Sequence, residues 1–513
     1  MTPDSGAGPE SRLVRLRVVG VIALLLIAGL VLGRSSRYRP ATSVRRAGGP
    51  VAAPLVASSS AWFCAGATDS PVGLAPGDLV ISNAGPRAVA VSVTVLASAG
   101  ASGHRALVVG PYERVSIPET VPGTAPWTGA IVDLDGGDVT VDQEISGPLG
   151  TTVSACATDG STAWYFAAGA TLVNATSEII LLNPYPTVAI ANLTFTTTDG
   201  IEAPTLFEGV IVPAGHLVAL DLGARLRRRA AIATSVAVTS GRVVAWKTDI
   251  VSRPLFGTPL IGTGAATDAE ADPALPVAGV TTTLGAPAPA VVWRWPEGST
   301  AATVGERYVI YNPGSRPARL KLVMQPDDSS APPASLGVTV GPQATATLNP
   351  AAAGISADGG YAAALTSTNG VAVVAERTVT GTAASGRGVG EMLGSVQMAR
   401  DWLVGLGPTD RPTEEVIAVS DPGPNAVTVS FRALRSGMLA PVEGTVGLGP
   451  AGPVAPVRVA AGQSVAVEVG GPGAPPDTSV MVHATGPVIV ERDLYGYRGT
   501  PGVSIALGVP LSG

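Results

Sequence analysis

Two Glu-Arg pairs are the residues most able to do chemistry in this chain of 513: Glu376-Arg377 in VAVVAERTV and Glu491-Arg492 in PVIVERDLY. Neighbouring side chains of a strand point to opposite faces, so one member of each pair turns toward the core or an adjoining unit. A desolvated arginine there can lock unit to unit through carbonyls and a carboxylate, or it can face a ligand. Corresponding runs earlier in the chain carry Asp142-Gln143 and Trp246-Lys247. That replacement of Arg by Gln and Lys favours the locking role. Trp62, Trp164, Trp293, Trp295 and Trp402 pose a similar choice, as sugar-stacking platforms or as core plugs. Recurrence at one station of every repeat favours the plug.

Other chemistry finds little support. His104, His216 and His483 are scattered, and Cys64 and Cys156 lack the paired spacing of a zinc site. No phosphate-binding Gly-Lys-Ser/Thr loop or G-x-S-x-G elbow occurs. SGRGVGE (385–391) has glycines at every second position and reads as a flexible loop. DLDGGD (133–138) brings Asp133, Asp135 and Asp138 together but lacks the distal glutamate of a calcium loop, so it reads as a solvated hairpin turn. No catalytic, metal or cofactor-binding residue is nominated, and no cofactor is expected. The alternative is a glycan-processing hydrolase, in which two of the 38 acidic residues converge from different strands.

What positions these residues is a repeat. AWFCAGAT (61–68) returns as AWYFAAGAT (163–171), with weaker echoes in VVWRWPEG (291–298) and DWLVGLG (401–407). After each comes an apolar run ending at Asn83, Asn183, Asn312 or Asp421 and a turn, then an alternating strand. A Gly-containing hairpin and a Val-rich closing strand complete the unit. Period-two alternation buries one face of each strand, and Asn, Pro and Gly end it. The expectation is an all-β chain of four tandem β-sandwich-like units of about a hundred residues, each with six or seven strands. The alternative is that the units close into a ring or propeller.

Sixteen apolar or glycine residues, Val18–Gly33, precede the repeats. As a helix they span about 24 Å, and Arg17 and Arg34 can extend that by snorkelling. The reading is a retained signal-anchor, with a cleaved signal peptide as the alternative. Two cysteines and no others, behind an export-like segment, suggest one Cys64–Cys156 disulfide in an extracytoplasmic body. The expected organisation is a cytoplasmic tail (1–17), the anchor (18–33), a stalk (34–58), repeats at 59–157 and 158–256, a linker or insertion (257–289), and repeats at 290–396 and 397–513. A net charge of −6 excludes an electrostatic footprint for nucleic acid.

The pattern W-Y/F-x-x-G … NP … V-x-x-ER resembles an actinobacterial family of membrane-anchored extracytoplasmic β-repeat proteins of unknown function. Trp62, Trp164, Asn183-Pro184, Asn312-Pro313, Glu376-Arg377 and Glu491-Arg492 carry the resemblance, over roughly residues 60–513. Such proteins are often encoded beside cell-envelope glycosyltransferases. The resemblance therefore implies a non-enzymatic scaffold or binding protein of the envelope, with a glycan or a glycan-assembly membrane protein as partner.

Overall fold

The computed structural model describes residues 48–512 apart from 69–74, 122–125, 173–174, 252–277, 302–303, 328–330, 356–359, 382–387, 408–412, 447–448, 450, 470–477 and 497–501. The tail and signal-anchor expected at 1–17 and 18–33 lie outside the described residues. Among those described, no helix is long and apolar enough to cross a membrane, and the fold is nearly all β with three short 3-10 turns.

The repeats share one antiparallel topology, which in the first and third gives two four-stranded sheets. In the first repeat the first, sixth, third and fourth strands form one sheet, and the fifth, second, seventh and eighth form the other. The same two orders recur in the third repeat and, with a split fourth strand, in the second. In the fourth, one 18-residue strand, Ser479–Gly496, serves as sixth strand in one sheet and seventh in the other. The first and third units have eight strands each, and the second and fourth have more, against the six or seven expected.

The extra strand is the eighth, and it decides the architecture. Gly150–Ala155, Gly279–Leu284, Gly388–Leu393 and Val503–Leu507 pair with the seventh strands of their own units. These four eighth strands pack against one another in a closed circuit, first to second to third to fourth and back to first. The four units thus meet through a ring of eighth-strand contacts. Crowding at the axis selects small residues. A Cβ on Gly388 would lie 2.5 Å from Val503 N, and one on Gly279 would lie 2.9 Å from Val389 N.

Three expectations are corrected by this circuit. Part of the linker or insertion at 257–289 is the second unit's eighth strand, and 252–277 lie outside the described residues. The end of the expected flexible loop 385–391 is the third unit's eighth strand. The last part of the expected stalk (34–58) belongs to the body. Ala52 is buried, its amide donates to Pro510 O at 3.1 Å, and its carbonyl accepts from Ser512 Oγ at 2.7 Å. Backbone hydrogen bonding draws this segment onto the ring beside the last strand.

A buried asparagine pins the end of the second strand in three units. Asn312 Nδ2 donates to Arg316, Val340 and Gly341 carbonyls, and its Oδ1 accepts from Gly314 N. Asn83 and Asn183 make the same kind of clasp. The fourth unit has Asp421, which accepts from Gly423 N at 2.8 Å but leaves Oδ2 buried without a partner. Burial raises its pKa. Asp421→Asn supplies the missing donor and should stabilise the ring by about 1–2 kcal/mol in thermal unfolding at neutral pH. A loss of stability would show that the fourth clasp differs from the other three.

Candidate functional site

The seventh strands carry the residues singled out in the sequence. Their pairing with the second strands places Asp142, Trp246, Glu376 and Glu491 at one equivalent position and Gln143, Lys247, Arg377 and Arg492 at the next. All eight side chains are buried. Charged members of the second set reach forward to the acid of the following unit.

Lys247 Nζ of the second unit lies 3.3 Å from Glu376 Oε2 of the third and also bonds Glu391 Oε1. Arg377 Nη2 of the third lies 2.5 Å from Glu491 Oε1 of the fourth and 3.7 Å from Asp493 Oδ1. Arg492 of the fourth closes the circle. Its Nη1 donates to Gly405 O at 2.9 Å, its Nη2 donates to Val153 O of the first unit at 3.4 Å, and its charge draws on Asp142. At the remaining junction both positions are uncharged. Gln143 there donates to Glu119 Oε1 at 2.7 Å, and Trp246 stands at the acid position. A cation is present wherever the next unit offers an acid. That matching identifies the Glu-Arg repeat as an inter-unit latch.

The tryptophan phrase is the other half of the latch. Glu376 accepts from Ala167 N at 2.7 Å and Ala168 N at 3.1 Å, in the phrase that opens the second unit. Thr248 Oγ1 donates to Gly66 O at 2.9 Å in the phrase that opens the first. The tryptophans themselves are plugs. Trp62, Trp164, Trp293, Trp295 and Trp402 are all at most 2% exposed. The Trp164 and Trp293 indole N–H groups each bond the carbonyl just ahead of the seventh strand, Val243 O and Val373 O, at 2.8 Å. A sugar ring finds no stacking face on them.

The expected Cys64–Cys156 disulfide is present, with a Cα–Cα distance of 4.8 Å, tying the first strand to the end of the eighth in the first unit. The acidic turn 133–138 packs on neighbouring backbone: Asp138 N donates to Ala53 O at 2.8 Å and Ser60 Oγ to Gly136 O at 2.7 Å. No group of three His, Cys, Asp or Glu among the described residues is placed to hold a metal ion.

More acids than bases are buried at the junctions. Burial pushes Glu376 up to about 8 despite the Lys247 ammonium beside it, and Asp249 up to about 6 in the same way. Burial also pushes Glu119 and Glu144 up to about 7. A raised carboxyl pKa means that the folded ring keeps protons the unfolded chain has already lost. Stability therefore falls as pH rises from about 4.5 to about 8, and these groups add nothing further below that window. The midpoint of thermal unfolding should be higher at pH 5 than at pH 8. The opposite order would remove the buried acids from the account of stability.

Sequence reasoning missed the place where all four units meet. At the C-terminal ends of the eighth strands lies a cavity of about 90 Å³, lined by residues of every unit. Its walls include Pro287, Trp293, Met392, Trp402 and Leu507, with Glu391 and Thr283 among the polar groups. Gly49 and Pro50 also line it, and Gln397 Nε2 donates to Gly49 O at 3.1 Å. A Gly-led run after each closing strand was the available signal.

The family of unknown function DUF5719 matches residues 138–348, from just ahead of the first unit's seventh strand to the end of the third unit's fifth. No curated protein matches the chain. Three solved structures that resemble it do so at low identity. Thermotoga maritima 1070 is 13% identical, covering 20% of this chain and 94% of that one at a TM-score of 0.16. A Streptomyces avermitilis alpha-L-rhamnosidase complexed with L-rhamnose is 12% identical, covering 70% of this chain and 45% of that one at a TM-score of 0.14. A tetra-tandem repeat from the extending region of a large adhesion protein is 12% identical, covering 88% and 100% at a TM-score of 0.08.

Proposed function

We propose that this chain is a non-enzymatic, membrane-anchored extracytoplasmic scaffold or binding ring of the cell envelope, and that its partner is a protein of glycan assembly in preference to glycan itself. One observation carries the reading. The groups able to do chemistry are sealed in the junctions between units, while the pocket that gathers all four units is walled mainly by apolar side chains. Buried tryptophans remove the stacking faces that a glycan reader uses. The apolar run Val18–Gly33 supports the anchor, and the disulfide supports an oxidising compartment.

The hydrolase reading has one pair of carboxylates nearer the surface. Glu297, its pKa raised by burial and by Asp327, and the exposed Asp327 both crowd Gly360. That reading requires glycan cleavage that disappears in Glu297→Gln.

The test places a photo-crosslinking residue at Pro287, which lines the pocket, in the full-length chain within native membranes. A discrete protein adduct, with no sugar released from purified envelope polysaccharide, is expected. Release of sugar, or saturable polysaccharide binding without an adduct, would overturn the proposal.

A further inference from the structure

We propose that Lys247 and Glu391 condense into an amide, a covalent crosslink between the second and third units that forms by itself once the ring has folded. The inference goes beyond the binding-ring reading and does not depend on it. Two departures from the repeat meet at this junction. The cation position of the seventh strand holds Arg377 and Arg492 in the later units but Lys247 in the second. Only two of the chain's 32 basic residues are lysine, and the other is Lys321. On the eighth strands, the positions paired with Glu144, Thr248, Thr378 and Asp493 are Val153, Thr282, Glu391 and Ile505, so the third unit alone has an acid there. An arginine would serve an ion pair as well as a lysine. Its guanidinium keeps its proton, however, whereas a lysine amine is a nucleophile once its proton is gone.

The reacting groups are already in contact. Lys247 Nζ bonds Glu391 Oε1 and lies 3.3 Å from Glu376 Oε2 and 3.6 Å from Asp249 Oδ2. Glu376 is hydrogen-bonded to Glu391 in turn, and the Ala167 and Ala168 amides fix its position. Lys247, Glu376 and Glu391 are at most 4% exposed. Two carboxyls can hydrogen-bond only through a proton on one of them. Burial keeps that proton on Glu376 at neutral pH, with its pKa at about 8. Burial also favours a neutral Lys247, but the neighbouring carboxylates outweigh it, so the resting group is an ammonium.

One proton passed from Nζ to Glu391 frees the lone pair. The Nζ–Cδ bond then forms and one Cδ–Oε bond breaks. The departing oxygen leaves as water with two of the three ammonium protons, one passed directly and one through Glu376, which ends as it began. Two buried charges become a neutral amide. Holding amine against carboxyl makes the step intramolecular, and exclusion of water opposes its reversal.

The test weighs the full-length chain, disulfide reduced, by mass spectrometry. It then digests the denatured chain with an endoproteinase that cuts after lysine. The amide lowers the mass by one water and blocks the cut at Lys247, so 1–321 and 322–513 stay joined. An unlinked chain falls into 1–247, 248–321 and 322–513. Lys247→Arg keeps the charge of the latch and should show its full sequence mass. Glu376→Gln should slow crosslinking about a hundredfold, leaving Lys247 open to cutting. Cooperative thermal unfolding checks that each variant folds, and the wild-type mass decides the matter even if neither does. A wild-type chain at full sequence mass and cut at Lys247 overturns the proposal. So does loss of water that persists in Lys247→Arg, or a crosslink that maps to an acid other than Glu391.

Discussion

Arg377→Met lowers the stability of the ring by about 3–5 kcal/mol at pH 8. The arginine is 1% exposed and leaves Glu491 and Asp493 behind, buried and without their counter-charge. Burial already holds the Glu491 pKa well above the usual carboxylate range, with Asp493 adding to it. Once the cation is gone, protonation is the remaining way to relieve that cost. The loss should therefore shrink clearly at pH 5, where the carboxyls take up protons. Denaturant titrations at the two pH values measure it. Arg242→Ala is the control. Its ion pair with Asp159 has side chains 48% and 75% exposed, so its removal should cost no more than about 1 kcal/mol at either pH. Similar small losses for both variants would mean that burial does not set the strength of the latch.

Removing the disulfide is the second large effect. Cys64 and Cys156 close a loop of 92 residues, so the chain-entropy relation gives about 4–5 kcal/mol of stabilisation through the unfolded state. Both sulfurs are buried in the core of the first unit, so the Cys64→Ala/Cys156→Ala variant tests the crosslink with little polar disturbance. Denaturant unfolding should shift by that amount relative to the oxidised protein. Reduction of the wild-type chain should shift it in the same direction. If the variant unfolds at the wild-type denaturant concentration, the first unit is held by the ring alone.

The repeat was legible in the sequence because its signals are local. Asn83, Asn183 and Asn312 mark strand ends through hydrogen bonds to turns close in the chain. Alternation marks the third strand, Val89–Ala97, because one of its faces is buried and the other partly open. The eighth strands hide for a physical reason. Gly279–Leu284 and Gly388–Leu393 are buried on nearly every residue, so they show no alternation. Crowding at the axis fills them with Gly, Thr, Ser and Ala, which resemble linker residues. The charge matching was visible in type but not in partner. Arg377 and Glu491 stand 114 residues apart, and Arg492 meets Val153 and the field of Asp142 only because the last unit returns to the first. Glu391 and Thr283 were out of reach for the same reason, since no local pattern announces an axis.

The central claim is that the Glu-Arg repeat joins units and does not serve a ligand. A double-mutant cycle on Arg377→Met and Glu491→Leu at pH 8 tests it most directly, with both single variants and the pair measured by denaturant unfolding. A latch requires that the double variant recover much of what either single loses, with a coupling of about 2–3 kcal/mol. Coupling below about 0.5 kcal/mol, with the two losses simply adding, would contradict it and return the arginine to the list of groups that face a ligand.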